Sequence, residues 1–263
     1  MLFCIYICKL QAKQSYMFSA FLTEFGKYLI MLKSMFTRPE NVKMYWKEFI
    51  SQCYEIGFGA LPIVLIVSIF LGAVTTVQTA YQLVSPLIPL TTIAQIVRDS
   101  ILLELSPTVL SIVLAGVIGS KVASELGNMR VSEQIDALEI MGINPYSYLI
   151  FPKIAASFIM MPILIMISCI VGIWGGRVAG DFSGIISPSI FDRGLRMGFS
   201  SFNVVFAMIK AYTFAFLISS ISAYYGYHVR GGSLEIGSAS TKAVVTSCIT
   251  ILIADYILAA VLL

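Results

Sequence analysis

Glu104, Lys210 and Asp255 are ionisable residues inside long apolar runs. A charge at the centre of a bilayer costs about 2.5–3.5 kcal/mol on insertion scales, so such a group faces a cavity or pairs with a partner. Glu104 lies near the start of its run. It reads either as the polar wall of a pocket or as a helix-end carboxylate reaching the headgroups. Lys210 can pair with Glu104 or Asp255 inside a bundle, meet an anionic group of a bound molecule, or snorkel along its own stem to the interface. Asp255, deep in the last run, reads as a structural hydrogen-bonding group to a neighbouring helix. Gln78 and Tyr81 close an earlier run and either line the same pocket as Glu104 or anchor at the interface.

None of this is the chemistry of an enzyme. The chain has 1 histidine, His228, beside the Gly231-Gly232 turn, where an exposed loop residue is expected. A histidine-based triad or metal site is therefore not expected, and no catalytic residue is assigned. The cysteines, Cys4, Cys8, Cys53, Cys169 and Cys248, are odd in number and irregularly spaced. They match no zinc pattern, and apolar burial is the expected state.

The longest polar feature is an island between two apolar runs, Glu125 to Pro145. Val131, Ile135, Leu138 and Met141 recur at steps of four, three and three, an apolar stripe on one face of a helix. Glu133, Asp136 and Glu139 form an acidic row on another face. Gly142 and Pro145 terminate the helix. A two-sided rod of this kind lies across a membrane surface and fits a groove of a soluble partner.

The elements around these residues follow from composition. Of 263 residues, 58% are hydrophobic and 12% charged, whereas a soluble domain is about one quarter charged. Apolar blocks at about 57–80, 100–122, 148–178, 202–225 and 243–263 are each long enough to cross the roughly 30 Å hydrocarbon layer. Pro62 and Gly72 suggest a bent or partly re-entrant first span. A loop with Pro86 and Pro89 follows it. Pro152 and Pro162 suggest a kinked or tilted third span. A loop carrying Asp181, Pro188, Asp192, Arg193 and Arg196 follows the third span.

The net charge of +3 comes with no basic stripe of interleaved aromatics, so nucleic acid is not an expected partner. Lys9, Lys13, Lys27, Lys33, Arg38, Lys43 and Lys47 cluster early, which places the N-terminus in the cytoplasm and the C-terminus on the far side. Arg98, Arg177, Arg193 and Arg196 dissent mildly. A basic amphipathic segment from about Met17 to Phe36 is expected to lie in the headgroup plane, and Arg38-Pro39-Glu40 to start a second short helix. Residues 1–16 read as a dispensable extension or as a start placed too early, with Met17 the more natural beginning. The expected division is 1–56, an interfacial segment, and 57–263, the spanning domain.

The stretch Ala123-Ser-Glu-Leu-Gly-Asn-Met-Arg-Val-Ser-Glu-Gln-Ile-Asp-Ala-Leu138, with Ala115-Gly116 before it and Met141-Gly-Ile-Asn-Pro145 after it, resembles the signature of MlaE-type permeases. These are the membrane subunits of Mce-associated ABC transporters that move lipids. The resemblance runs from about Phe21 to the C-terminus. It takes in Gly172-Ile-Trp-Gly-Gly176, the Lys210 segment and Thr241-Lys-Ala-Val-Val245.

It implies an all-α integral membrane fold: five transmembrane helices after an N-terminal interfacial amphipathic helix, with a cytoplasmic coupling helix between spans 2 and 3. It further implies a bacterial inner-membrane homodimer, a cytoplasmic ABC ATPase dimer, a periplasmic Mce-domain ring and a phospholipid-like substrate moved between the inner and outer membranes, with outer-membrane lipid asymmetry as the outcome. The coupling residues would be Glu125, Leu126, Gly127, Met129, Arg130, Glu133, Gln134, Asp136, Ala137, Leu138, Met141 and Gly142. Gln78, Tyr81, Glu104 and Lys210 would be the lipid-binding candidates.

Many members carry Arg-Glu-Leu-Gly-Pro where this chain has Leu103-Glu104-Leu105-Ser106-Pro107, and arginine where it has Val117. Both changes remove a positive charge near the expected lipid path. The chain contains no Gly-x-x-x-x-Gly-Lys-Ser/Thr phosphate loop, so ATP and magnesium would bind a separate subunit and this chain would hold no cofactor. Two rivals stand beside this reading: a proton-coupled secondary transporter using Glu104 and Asp255, and a scaffold that recruits soluble proteins and moves nothing.

Overall fold

The structure is a computed structural model, and it describes residues 23–35, 42–83 and 89–262. The expectations for residues 1–16, Met17, Cys4, Cys8, Arg38-Pro39-Glu40 and Pro86 lie outside these. Helix α1 (residues 23–34) is amphipathic. Met31 and Met35 turn into the bundle, while Phe25, Leu29 and Ile30 remain exposed. The Tyr28 hydroxyl lies 2.7 Å from Ser220 Oγ, and the Tyr224 hydroxyl donates to Glu24. That hydrogen bond, then the neighbouring Lys27 ammonium, holds the Glu24 carboxyl below the usual range.

Helix α2 (Val42–Gln82) is continuous, so the expected interfacial segment and first span share one helix. Pro62 removes a single backbone donor. In an apolar medium the remaining backbone groups can be satisfied only by keeping the helix, so it does not break. The expected re-entrant turn is absent, and Gly72 has another purpose. A Cβ there would lie 1.8 Å from the carbonyl oxygen of Gly172, and one at Gly175 would lie 2.7 Å from that of Ile69. Small residues let two membrane helices approach backbone to backbone. The Ser68 and Ser168 hydroxyls meet at 2.7 Å, and Ser168 reaches Ser106 at 3.2 Å, so three spans are joined by hydroxyls. Gly72→Val should force the pair apart and destabilise the bundle by about 1–3 kcal/mol. Thermal unfolding in detergent reads this directly, and an unchanged melting curve would contradict so close a contact.

Helix α3 (Thr91–Val131) is longer than its apolar run at both ends. It widens into π-helical turns at Ile101–Val109 and Ala115–Gly119. It stops at Glu133, whose φ of 59° lies in the left-handed region, and a short helix α4 (Gln134–Ile140) follows. The island is therefore two helices in different directions, and the single rod expected from its spacing is not formed. Helix α5 (Tyr146–Phe182) runs unbroken through Pro162.

The expected loop after it contains a short helix, α6 (Pro188–Arg196). Arg98 is 3% exposed and donates to the carbonyls of Leu195 and Met197 at 2.8 Å and Gly198 at 3.2 Å, where the last carbonyls of α6 need partners. Arg177 binds Asp192 through two bonds of 2.8 and 3.1 Å. Helices α7 (Ser201–Tyr227) and α8 (Ser233–Leu262) complete the bundle.

Among the described residues, five helices, α2, α3, α5, α7 and α8, are long and apolar enough to cross a membrane. The main core lies among them. Leu110, Leu114, Ile165, Phe214 and Ile218 are at its centre. Only 11% of the most apolar window of α8 is buried, against 50–56% for α3, α5 and α7. One side of α8 thus has no neighbour among the described residues.

Candidate functional site

The membrane-embedded charges come together. Pro107 has no N–H to give the carbonyl of Leu103 four residues earlier, and Lys210 Nζ donates to that oxygen at 2.9 Å. The same ammonium donates to Glu104 Oε1 at 2.9 Å and lies 2.7 Å from Asp255 Oδ1. Thr108 Oγ1 sits 3.0 Å from Asp255 Oδ1 and 3.3 Å from Glu104 Oε2, bridging the two carboxylates. Lys210 packs over the Phe206 ring at 4.7 Å and its side chain is fully buried, whereas that of Glu104 is 50% exposed and that of Asp255 16%. Of the sequence alternatives, pairing inside the bundle is the one observed, and both acids are partners of the lysine. Two carboxylates around one ammonium leave the cluster formally negative, with its open edge at Glu104.

Gln78 and Tyr81 do not join this cluster. Helix α2 packs on α5 through Ser68, Gly72 and Thr76, and at 3.6 residues per turn positions 78 and 81 point the other way. They line an open apolar groove with Ala73, Val74 and Val77, and Tyr81 is 82% exposed. A shared pocket with Glu104 within one chain is therefore not formed.

The island end also differs from its helical-wheel reading. Leu126 and Ile135 are fully buried, and Gly127 seats against Val229 and Ile236. Leu138 and Met129 pack on the main core. The acidic row is not free: Arg130 binds Asp136 at 2.5 Å and stacks over the Tyr227 ring, and the Tyr227 hydroxyl donates to Glu139 at 2.9 Å. What remains outward is Glu133, Gln134, Ala137, Met141 and Gly142. Ile140, missed by the spacing argument, joins them. Ile140 is 87% and Met141 65% exposed, an apolar knuckle at the tip of α4.

Glu125 is turned inward, 2.7 Å from the ammonium of Lys153, which is 1% exposed. His228 is exposed on one edge, as expected. Its ring lies 4.4 Å from that of Tyr224, and the water lost on that side lowers its pKa. Its Nδ1, 2.9 Å from the Tyr224 carbonyl, is the protonated nitrogen.

A five-span helical membrane protein with a charge cluster in its bundle and a polar, knuckled end is the class these features define. Residues 49–261 match the family model described as Permease MlaE, and the chain belongs to that family. A probable ABC transporter permease protein of Rickettsia bellii (strain RML369-C) is 35% identical over 233 residues, 89% of this chain and 90% of that protein. One of Synechocystis sp. (strain ATCC 27184 / PCC 6803 / Kazusa) is 34% identical over 212 residues, 81% of this chain and 80% of that one. The chloroplastic protein TRIGALACTOSYLDIACYLGLYCEROL 1 of Arabidopsis thaliana is 35% identical over 216 residues, 82% of this chain and 61% of its own length.

Proposed function

We propose that this chain is the membrane subunit of an ATP-driven transporter that moves phospholipids or related lipids between an inner and an outer membrane, sustaining the lipid asymmetry of the latter. The observation that carries the reading is the half-exposed Glu104 edge of a charge cluster set in an apolar bundle. An amphiphile needs that combination: apolar walls for acyl chains and a fixed charged group for a head. Permease membership supports it, as does the lipid in the name of the Arabidopsis relative.

A carboxylate facing acyl chains is costly, so the Glu104–Asp255 edge and the uncovered side of α8 are turned to a second copy of the chain, with a hydrated or lipid-filled space between. The island end is cytoplasmic and receives an ABC ATPase dimer, which binds the ATP and magnesium. The far end meets a periplasmic Mce-domain ring. Pairing of Arg98 and Arg177 within the chain supports that orientation, since two basic residues of the outer side are committed to closing α6.

The test is reconstitution of the complex that co-purifies with the tagged chain into liposomes holding a labelled phospholipid. Transfer should require hydrolysable ATP and ignore a proton uncoupler. Transfer abolished by the uncoupler, or none with ATP, would refute this function.

A further inference from the structure

Lys153 lies outside the membrane charge cluster and pairs with the island through Glu125 alone, yet it is among the largest fully buried side chains of the protein. Its ammonium is held 2.7 Å from Glu125 Oε1 at the island end of α3. Four residues earlier on α3, and so on the same face, Lys121 lies 3.0 Å from Glu55 of α2. The last segment of α3 is thus tied to its neighbours by two ion pairs of opposite sense, one to α5 and one to α2. Helices α2 and α5 are themselves locked backbone to backbone at Gly72 and Gly172, so both ties run to one unit.

Two further features mark this segment as a lever. The π-helical turn Ala115–Gly119 precedes it, and π-helical turns inside helices are frequent at functional sites. A cavity of about 120 Å³ separates it from α2, lined by Glu55, Gly59, Ala60, Val117, Lys121 and Glu125 among others. The segment is therefore not packed solid on the α2 side, while on its other side it seats closely on α7, where a Cβ at Gly226 would lie 2.7 Å from the carbonyl oxygen of Ala123. The tip of the same arm leads into α4 and its exposed knuckle.

We propose that Lys153 is a positioning residue that transmits movement of the island into the α2–α5 unit, through the ion pair of its buried ammonium with Glu125. The role rests on the transporter reading above. A displacement at α4 pivots the Ser120–Val131 segment about Ala115–Gly119. The Glu125–Lys153 ion pair, 2.7 Å long with its ammonium end buried and its carboxylate end 31% exposed, carries that rotation to α5. The exposed Lys121–Glu55 tie yields more readily, because water competes for it.

The experiment uses the complex purified on this chain, with ATP hydrolysis and transfer of a labelled phospholipid measured on the same liposomes. Wild type must first show ATP-dependent transfer; if it does not, the transporter reading fails and this inference with it. Given that, Lys153→Met should lower lipid transferred per ATP hydrolysed by about tenfold or more, while Lys153→Arg retains most of the ratio. A purely structural lysine would lower the yield of complex and leave the ratio unchanged. Lys153→Gln provides a second neutral variant should the methionine form not assemble. A normal ratio in either assembled neutral variant overturns the proposal. So does failure of both to assemble, since the pair would then be a folding element.

Discussion

Lys210→Met is expected to destabilise the bundle by about 3–5 kcal/mol, because it leaves the mostly buried Asp255 carboxylate without its partner. The wild-type ammonium has three oxygen partners within 2.9 Å: Leu103 O, Glu104 Oε1 and Asp255 Oδ1. Methionine fills the stem's volume and satisfies none of them. The melting temperature in detergent should fall by on the order of 10 °C. The triple variant Lys210→Met/Glu104→Gln/Asp255→Asn should recover most of that loss, since removing all the charges together takes away the desolvation cost along with the attraction. A single variant melting with wild type would mean that the cluster is solvated and the ion pairs contribute little.

The same geometry separates folding from cargo contact. Lys210 is covered on every side, so loss of transport in its variants reports loss of the bundle. Glu104 is the member with a free edge, and Glu104→Gln keeps the shape while removing the charge presented there.

Much of the architecture was legible in the sequence because the bilayer imposes it. A run of about 20 apolar residues admits one solution, a spanning helix, and five such runs became five helices. Helix ends were less legible. Thr91–Ser100 has a balanced composition, yet it extends α3, since Ile93, Ala94 and Val97 pack on Ile186 and Phe191 of the small far-end core. Tertiary contact there outweighed local polarity.

Partners of buried charges could not be assigned along the chain at all. Lys210 had two candidate acids and bonds to both. Lys153 follows Pro152 at the start of an apolar run, where a lysine ordinarily reaches headgroups; only the folded chain reveals it as buried and paired with Glu125. Its presence inside the run beginning at Tyr148 was the available signal. Gln78, Tyr81 and Glu104 all lie near span ends, but rotation about the helix axis points them to different sides.

The island failed in the most instructive way. Periodicity assigns a face only while the helix stays in phase, and Glu133 breaks that phase. Val131, Ile135, Leu138 and Met141 have the spacing of one stripe, yet burial falls from Ile135, fully covered, to Met141, 65% exposed. A left-handed non-glycine residue costs about 1–2 kcal/mol, and nothing in Val131-Ser132-Glu133-Gln134 announces it. Across the bend, Arg130 binds Asp136 and the buried Ile135 joins the main core, so contacts on either side outweigh that cost.

The bend also decides which substitution tests docking of the ATPase. Leu138 lies in the stripe, but it packs on the chain's own core, so an aspartate there would disturb the fold as well as the surface. Ile140 and Met141 touch solvent and little else, and a charge at either leaves the bundle unchanged. Burying an isoleucine or methionine side chain contributes about 1.5–3 kcal/mol, and central apolar anchors dominate such interfaces. Ile140→Asp is therefore expected to weaken ATPase association by about 10–100-fold, and Ile140→Asp/Met141→Asp to abolish co-purification. The melting temperature of the isolated membrane subunit should stay at the wild-type value. Pull-down of the ATPase on the tagged chain, with thermal unfolding of the same preparations, reads both quantities. An ATPase retained at wild-type stoichiometry by the double variant would place the docking surface elsewhere. The exposed edge of Glu133, Gln134 and Ala137 would be the next to probe, because it adjoins the knuckle without sharing its apolar character.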